Sequence, residues 1–215
     1  MTKSDIIPRL LDPGVIAILR AGSSQNFTKV AEALHAGGIT AMEITMTTPG
    51  ALASISEIAA TLGNRMLIGV GSVIDAETCR SAILAGAEFV VTPVTKSEVI
   101  RIAHHYGKPI ASGAFTPGEA LHAHECGADF VKIFPAEFGG PAYIKSLLAP
   151  LPMLKCIPTG GVTPQTIGDF LKAGSVAFGA GSTLVQKEAL EKGDMAAITK
   201  RAEEFVAAVR RARGA

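Results

Sequence analysis

The stretch PIASGAFTPGEALHAHECGADFVKIF, Pro109 to Phe134, decides the fold. It opens on a short β-type run, Pro109–Ala111. Thr116-Pro117 then places a capping hydroxyl before proline at a first helical position. A helical segment, Pro117–Cys126, follows, and Gly127 stands where that helix should end. The next β-type run is Phe130–Phe134. This is one βα unit, and the same grammar recurs along the chain.

Working outward, further strand candidates are Val15–Leu19, Ala41–Met46, Leu67–Val70, Phe89–Thr92, Lys155–Pro158 and Val176–Phe178. That makes eight, with starts roughly 20 to 25 residues apart. Helical segments lie between them: Asn26–Ala36, Ala51–Leu62, Ala76–Ala85, Ser97–Tyr106, Pro141–Leu148 and Pro164–Ala173. A longer helix, Asp194–Arg211, closes the chain. Thr163-Pro164 repeats the Thr-Pro cap, and Gly37, Gly86 and Gly174 repeat the glycine stop. Eight βα units in 215 residues match the compact (β/α)8 TIM barrel, here one domain over residues 1–215 with an extra N-terminal helix. The alternative is an open doubly wound sheet. It would have fewer strands, and no G-x-G-x-x-G follows the first strand.

Composition narrows the function. Lys plus Arg is 20 and Asp plus Glu is 19, with two Tyr and no Trp. A nearly neutral, aromatic-poor chain argues against nucleic-acid binding. The longest stretch free of charged residues is 14 residues, Ala173–Gln186, too short to span a membrane. Cys79, Cys126 and Cys156 show no paired spacing, so neither a disulfide framework nor a zinc pattern is expected. The N-terminus does not read as a secretory signal, and the expected compartment is the cytoplasm. His122, His124, Glu125 and Cys126 resemble a metal cluster, but only His122 and Cys126 share a helix face, on the barrel's outside. No metal is expected.

Two strands carry a charge where a barrel strand should be apolar. In Ala41–Met46 the alternation turns Glu43, Thr45 and Thr47 inward, and in Phe130–Phe134 it turns Lys132 inward. A buried charge is tolerated when paired or when its proton affinity shifts. The pair could merely set packing. The chemical reading is that Lys132 acts as a neutral nucleophile forming a Schiff base with a carbonyl substrate, and that Glu43 moves protons. Arg20, at the end of strand one, could supply a guanidinium to an anionic substrate or lie on the surface. Ser72 reads as sharing an interior face with Ile68 and Val70, and Thr159 with Ile157. Either hydroxyl could bind substrate or cap a turn. The glycine-rich segments Pro158–Pro164 and Phe178–Ser182 follow strands seven and eight, where barrels commonly hold phosphate.

The motifs Glu43-Ile44-Thr45, Gly69–Val73, Thr92-Pro93, Val131–Glu137, Pro158–Val162 and Gly179–Ser182 together resemble the class I family of 2-keto-3-deoxy-6-phosphogluconate and 4-hydroxy-2-oxoglutarate aldolases, over about residues 10 to 210. The resemblance implies cleavage of 2-keto-3-deoxy-6-phosphogluconate to pyruvate and glyceraldehyde 3-phosphate. The phosphogalactonate and 4-hydroxy-2-oxoglutarate analogues are alternatives. It implies Lys132 as the Schiff-base lysine and Glu43 as acid/base through a water. Ser72 and Pro93 would hold the pyruvate end. Phe134 and Thr159 would line the site, and Gly160, Gly161, Gly181 and Ser182 would hold phosphate. It further implies a homotrimer acting on a small-molecule substrate without metal or cofactor. Two departures stand out. Many members have Leu-Arg-Thr where this chain has Met46-Thr47-Thr48, so Thr47 occupies the arginine's place and Arg20 is the candidate replacement. Ala111-Ser112-Gly113 stands where Pro-Gly is common. Outside this family, a phosphate-binding isomerase or epimerase would use Lys132 only as a charge, and a non-catalytic barrel would show no turnover.

Overall fold

The computed structural model describes residues 1–214. Eight parallel strands form one sheet in the order β7-β6-β5-β4-β3-β2-β1-β8. The strands are β1 Val15–Leu19, β2 Ala41–Thr45, β3 Leu67–Gly71, β4 Phe89–Val91, β5 Ile110–Ala114, β6 Phe130–Ile133, β7 Cys156–Pro158 and β8 Phe178–Ala180. A parallel bridge between Thr159 and Gly179 closes the ring beside β7 and β8. This is the (β/α)8 barrel expected from the βα period.

The helices are α1 Lys3–Leu11, α2 Phe27–Ala36, α3 Ala51–Leu62, α4 Ala76–Leu84, α5 Ser97–His105, α6 Pro117–Glu125, α7 Gly140–Leu148, α8 Ile167–Lys172, α9 Lys187–Lys192 and α10 Met195–Arg213. From α2 onward they cover the barrel. Helix α6 starts as its sequence suggests: Thr116 and Glu119 form a reciprocal capping box ahead of Pro117.

Two apolar layers hold the fold. The larger lies between strands and helices and includes Met42, Ile44, Ile68, Val70, Val131 and Ile133. The smaller fills the barrel's lower interior with Ile16, Ala41, Leu67, Phe89, Phe130 and Ile157. Helix α1 closes that end by inserting Ile6 and Leu10, both almost fully buried. The open end is therefore the opposite one, above the C-terminal ends of the strands.

Four sequence-based expectations change. Leu67, Gly69 and Gly71, not Ile68 and Val70, face the barrel interior. Glycines leave that face empty of side chains, and the space is taken by neighbours: a methyl group on Gly69 would lie 2.4 Å from the Phe89 ring. Strand β8 runs Phe178–Ala180 rather than Val176–Phe178, because Gly179 and Ala180 carry the ladder to Ile16 and Ala17. Thr163-Pro164 does not start a helix. Thr163 N–H donates to Thr166 Oγ1 at 2.9 Å, and α8 begins only at Ile167. Helix α9 falls in a segment for which no helix was expected.

Candidate active site

Glu43 and Lys132 meet in the upper barrel. Glu43 is 2% exposed and Lys132 8%. Strand alternation delivers both inward, and Gly71 at the end of β3 leaves the room that Glu43 takes. In register, Gly69 pairs with Glu43 across β2–β3, and Gly113 pairs with Lys132 across β5–β6. Lys132 Nζ lies 3.9 Å from Glu43 Oε1 and 5.4 Å from the centroid of the Phe134 ring, over its face. Glu43 Oε1 has no hydrogen-bond partner among the described residues. Burial pushes the Glu43 carboxyl above the usual carboxylate range, while the charges of Lys132 and Arg20 partly oppose that rise. A lysine beside a carboxylate that readily keeps a proton is suited to exchanging one.

Lys132 lines a cavity of about 930 Å³, and the buried Glu43 stands beside it without lining the cavity itself. Arg20, Ser72, Pro93, Phe134, Thr159, Gly160, Gly161, Gly181 and Ser182 line it together with Lys132. The structure thus gathers these expected site residues into one cavity. Arg20 enters from the end of β1, and its charge reaches Glu43. Ser72 arrives by a route that alternation does not describe. It lies past the end of β3 with φ +59°, a left-handed conformation that turns the chain over the cavity. Pro93 is held by a close approach of β5. Its carbonyl lies where a side chain on Gly113 would go.

That β5 wall, one of the departures from the family pattern, is braced by hydroxyls. Thr92 Oγ1 donates to Ser112 Oγ at 3.5 Å, and Ser112 Oγ donates to Thr95 Oγ1 at 3.3 Å. Gly113 N–H donates to Thr92 Oγ1 at 3.1 Å.

Thr47 stands apart. It is exposed on the turn after β2, bonded to Thr45 Oγ1 at 3.0 Å, and is not part of the cavity lining. The buried hydroxyl is the next one, Thr48. It accepts from Ala21 N–H at 3.3 Å and ties the segment after Arg20 to β2.

The far end of the cavity is built from the loops after β7 and β8. Gly160 and Gly161 have φ of +95° and +71°. Thr183 Oγ1 donates to the Val162 carbonyl at 2.7 Å, joining the two loops, and Arg201 of α10 donates to the Thr183 carbonyl at 2.9 Å. The N–H groups of Gly161, Val162, Ser182 and Thr183 find no acceptor among the described residues. Unpaired N–H groups on glycine loops suit an anion.

Among the lining residues that escaped the sequence reading are Gln25 and Asn26 before α2, Glu137 after β6, and Lys187 and Glu191 on α9. They stand outside the strands, where no periodicity marks an inward face. Only Glu137 had a signal, its place in the Val131–Glu137 motif. His122 and Cys126 do pair on α6, with Sγ 3.6 Å from Nε2. No group of three or more potential metal ligands occurs among the described residues, and no described helix is long and apolar enough to cross a membrane.

A family model for KDPG and KHG aldolase matches residues 6–201. The chain is similar to 2-dehydro-3-deoxy-phosphogluconate aldolase of Pseudomonas aeruginosa, 33% identical over 191 residues, or 88% of this chain and 86% of that one. It is similar to 2-dehydro-3-deoxy-6-phosphogalactonate aldolase of Escherichia coli, 38% identical over 171 residues, or 79% and 83% of the two chains. Among solved structures it resembles KDPG aldolase from Legionella pneumophila with pyruvate captured at low pH as a covalent carbinolamine intermediate. The TM-score is 0.84 at 27% identity, covering 92% of this chain and 97% of that one.

Proposed function

The chain belongs to the KDPG and KHG aldolase family, and from that premise we propose that it is a class I aldolase cleaving a 2-keto-3-deoxy-6-phospho sugar acid, 2-keto-3-deoxy-6-phosphogluconate first, to pyruvate and glyceraldehyde 3-phosphate. The observation that carries the reading is the buried Lys132–Glu43 pair, 3.9 Å apart, with Lys132 lining the cavity. The free amine of Lys132 adds to the C2 ketone, and Glu43 returns a proton as water leaves, giving the iminium. Glu43, through a water, then takes the C4 hydroxyl proton. The C3–C4 bond breaks, its electrons pass to the iminium, and the aldehyde departs. Protonation of the enamine at C3 and hydrolysis of the imine release pyruvate and restore Lys132.

Arg20, Ser72 and Pro93 hold the pyruvate end in this proposal. Phe134 and Thr159 form the walls, and Gly160, Gly161, Gly181 and Ser182 take the phosphate. Thr47 keeps no direct role, since it stands outside the cavity lining. Arg20 replaces the arginine missing at position 47. Arg20→Ala should raise KM for pyruvate-type substrates about tenfold, the scale of a lost charge-assisted contact, and unchanged kinetics would refute the assignment.

The 38% identity to a phosphogalactonate aldolase supports a second reading in which the C4 epimer is preferred. Comparing kcat/KM for the two epimers and for 4-hydroxy-2-oxoglutarate decides between them. Borohydride with pyruvate should add a reduced pyruvyl mass to Lys132. No adduct would sink the aldolase reading and leave the isomerase reading.

Copies of the chain pack as a homotrimer in this proposal. Support comes from an exposed apolar series on four successive loops: Ile74, Val94, Phe115 and Phe138, the last 78% exposed. Light scattering on Phe138→Asp should show loss of the trimer. The free cysteines Cys79, Cys126 and Cys156 support a cytoplasmic location.

A further inference from the structure

Glu137 places a negative charge on the loop that is built for an anion. It sits on a short 3-10 turn, Ala136–Phe138, just past the β6 motif. The turn is fixed by Ala136 N–H donating to the Thr159 carbonyl at 2.8 Å. From there the side chain lies across the β7 loop. A methyl group on Gly160 would come within 2.8 Å of Glu137 Oε2, and one on Gly161 within 2.7 Å of Glu137 Cβ. Both glycines therefore serve twice, by adopting positive φ and by leaving room for this carboxylate.

Among the described residues, no ion pair holds Glu137 in place. The other charged residues lining the cavity are Arg20 on β1's end, Lys132 on β6, and Lys187 and Glu191 on α9. The last two lie 3.7 Å from each other. The carboxylate thus lines the cavity beside Gly161 and Val162, whose N–H groups are without internal acceptors.

We propose that Glu137 is a specificity-determining residue that sets how tightly the far end of the substrate is held according to its charge. Glycine N–H groups attract a phosphate. A carboxylate lying across that loop opposes its second negative charge. The balance lets a phosphorylated aldehyde bind and still leave, and it costs nothing for an uncharged end that can donate a hydroxyl hydrogen. The inference rests on the aldolase reading for its kinetic consequence, but the anion balance is measurable without turnover.

The test titrates inorganic phosphate into the wild-type protein and into Glu137→Gln by calorimetry at pH 8. It is paired with KM measurements on 2-keto-3-deoxy-6-phosphogluconate and its unphosphorylated analogue. Glu137→Gln should bind phosphate about 3- to 10-fold more tightly, the scale of one screened charge contact. KM for the phosphorylated substrate should fall by the same factor, and KM for the unphosphorylated one should stay put. The gap should shrink below about pH 6, where a phosphate monoester loses its second charge. Glu137→Asp, which keeps the charge, should retain the wild-type pattern.

Equal or weaker phosphate binding by Glu137→Gln overturns the proposal, as does an equal KM shift for both substrates. Failure of borohydride trapping on the wild type would remove the aldolase reading while leaving the phosphate titration to judge Glu137.

Discussion

Replacing Gly71 by alanine tests the buried pair with one methyl group. Gly71 faces the barrel interior beside Glu43. Its added methyl would lie 2.4 Å from Glu43 Oε1 and 2.8 Å from Cδ. Carbon–oxygen contacts settle at about 3.4 Å or more, so the carboxylate must withdraw by roughly 1 Å. Gly71 is not among the glycines with positive φ, so alanine fits the backbone. The Lys132–Glu43 separation of 3.9 Å is then no longer kept. A misplacement of about 1 Å in a reacting group costs on the order of 100-fold in rate. Measured by coupling pyruvate release to lactate dehydrogenase, kcat for Gly71→Ala should fall by about that factor. The control is Gly69→Ala, one layer down, where the methyl meets the Phe89 ring at 2.4 Å. Overpacking there should cost about 1–3 kcal/mol, lowering Tm by roughly 2–10 °C, with kcat nearly kept. A folded Gly71→Ala with kcat within about threefold of wild type, well short of the expected loss, would refute the positioning argument.

Glu43→Gln should lower kcat by about 100- to 10,000-fold, the range of a lost general acid/base. Burial raises the Glu43 carboxyl in the folded state. Folded protein therefore holds that proton to higher pH than unfolded chain, and stability falls as pH rises through the interval. Glu43→Gln should lack that fall, so its Tm relative to wild type should climb with pH above the ordinary carboxylate range. The acid limb of wild-type kcat/KM should lie above that range as well. Ile6→Ala, at the closed end of the barrel, should cost about 2–5 kcal/mol, read as a drop in Tm. Turnover at 25 °C should be unchanged, because the site lies at the opposite end.

Much of the fold was legible because its signals are local. A strand of Val, Ile and Phe with one inward charge, such as Phe130–Ile133, declares its faces by side chain alone. The Thr-Pro pair at 116 and the glycine stop at 127 state helix limits in the same way. Misreadings came where local chemistry is silent or shared. Thr163-Pro164 has the same letters as Thr116-Pro117, yet no glutamate three residues after Thr163 completes a capping box, and the hydroxyl of Thr166 captures Thr163 N–H instead. Thr47 has an inward parity on paper, but β2 ends at Thr45, and parity means nothing beyond the last ladder residue.

The sequence by itself determined the βα period, the barrel and the two charges, Glu43 and Lys132, that no packed core would keep without a partner. Alternation and burial cost are properties of the residues themselves, so they can be read without coordinates. Tertiary structure alone decided which face of β3 looks inward, how Ser72 reaches the cavity, and where Glu137 lies. Each turns on glycine. At Gly69, Gly71, Gly160 and Gly161 there is no side chain to state a preference, and what fills the space is chosen by neighbours that are distant in sequence.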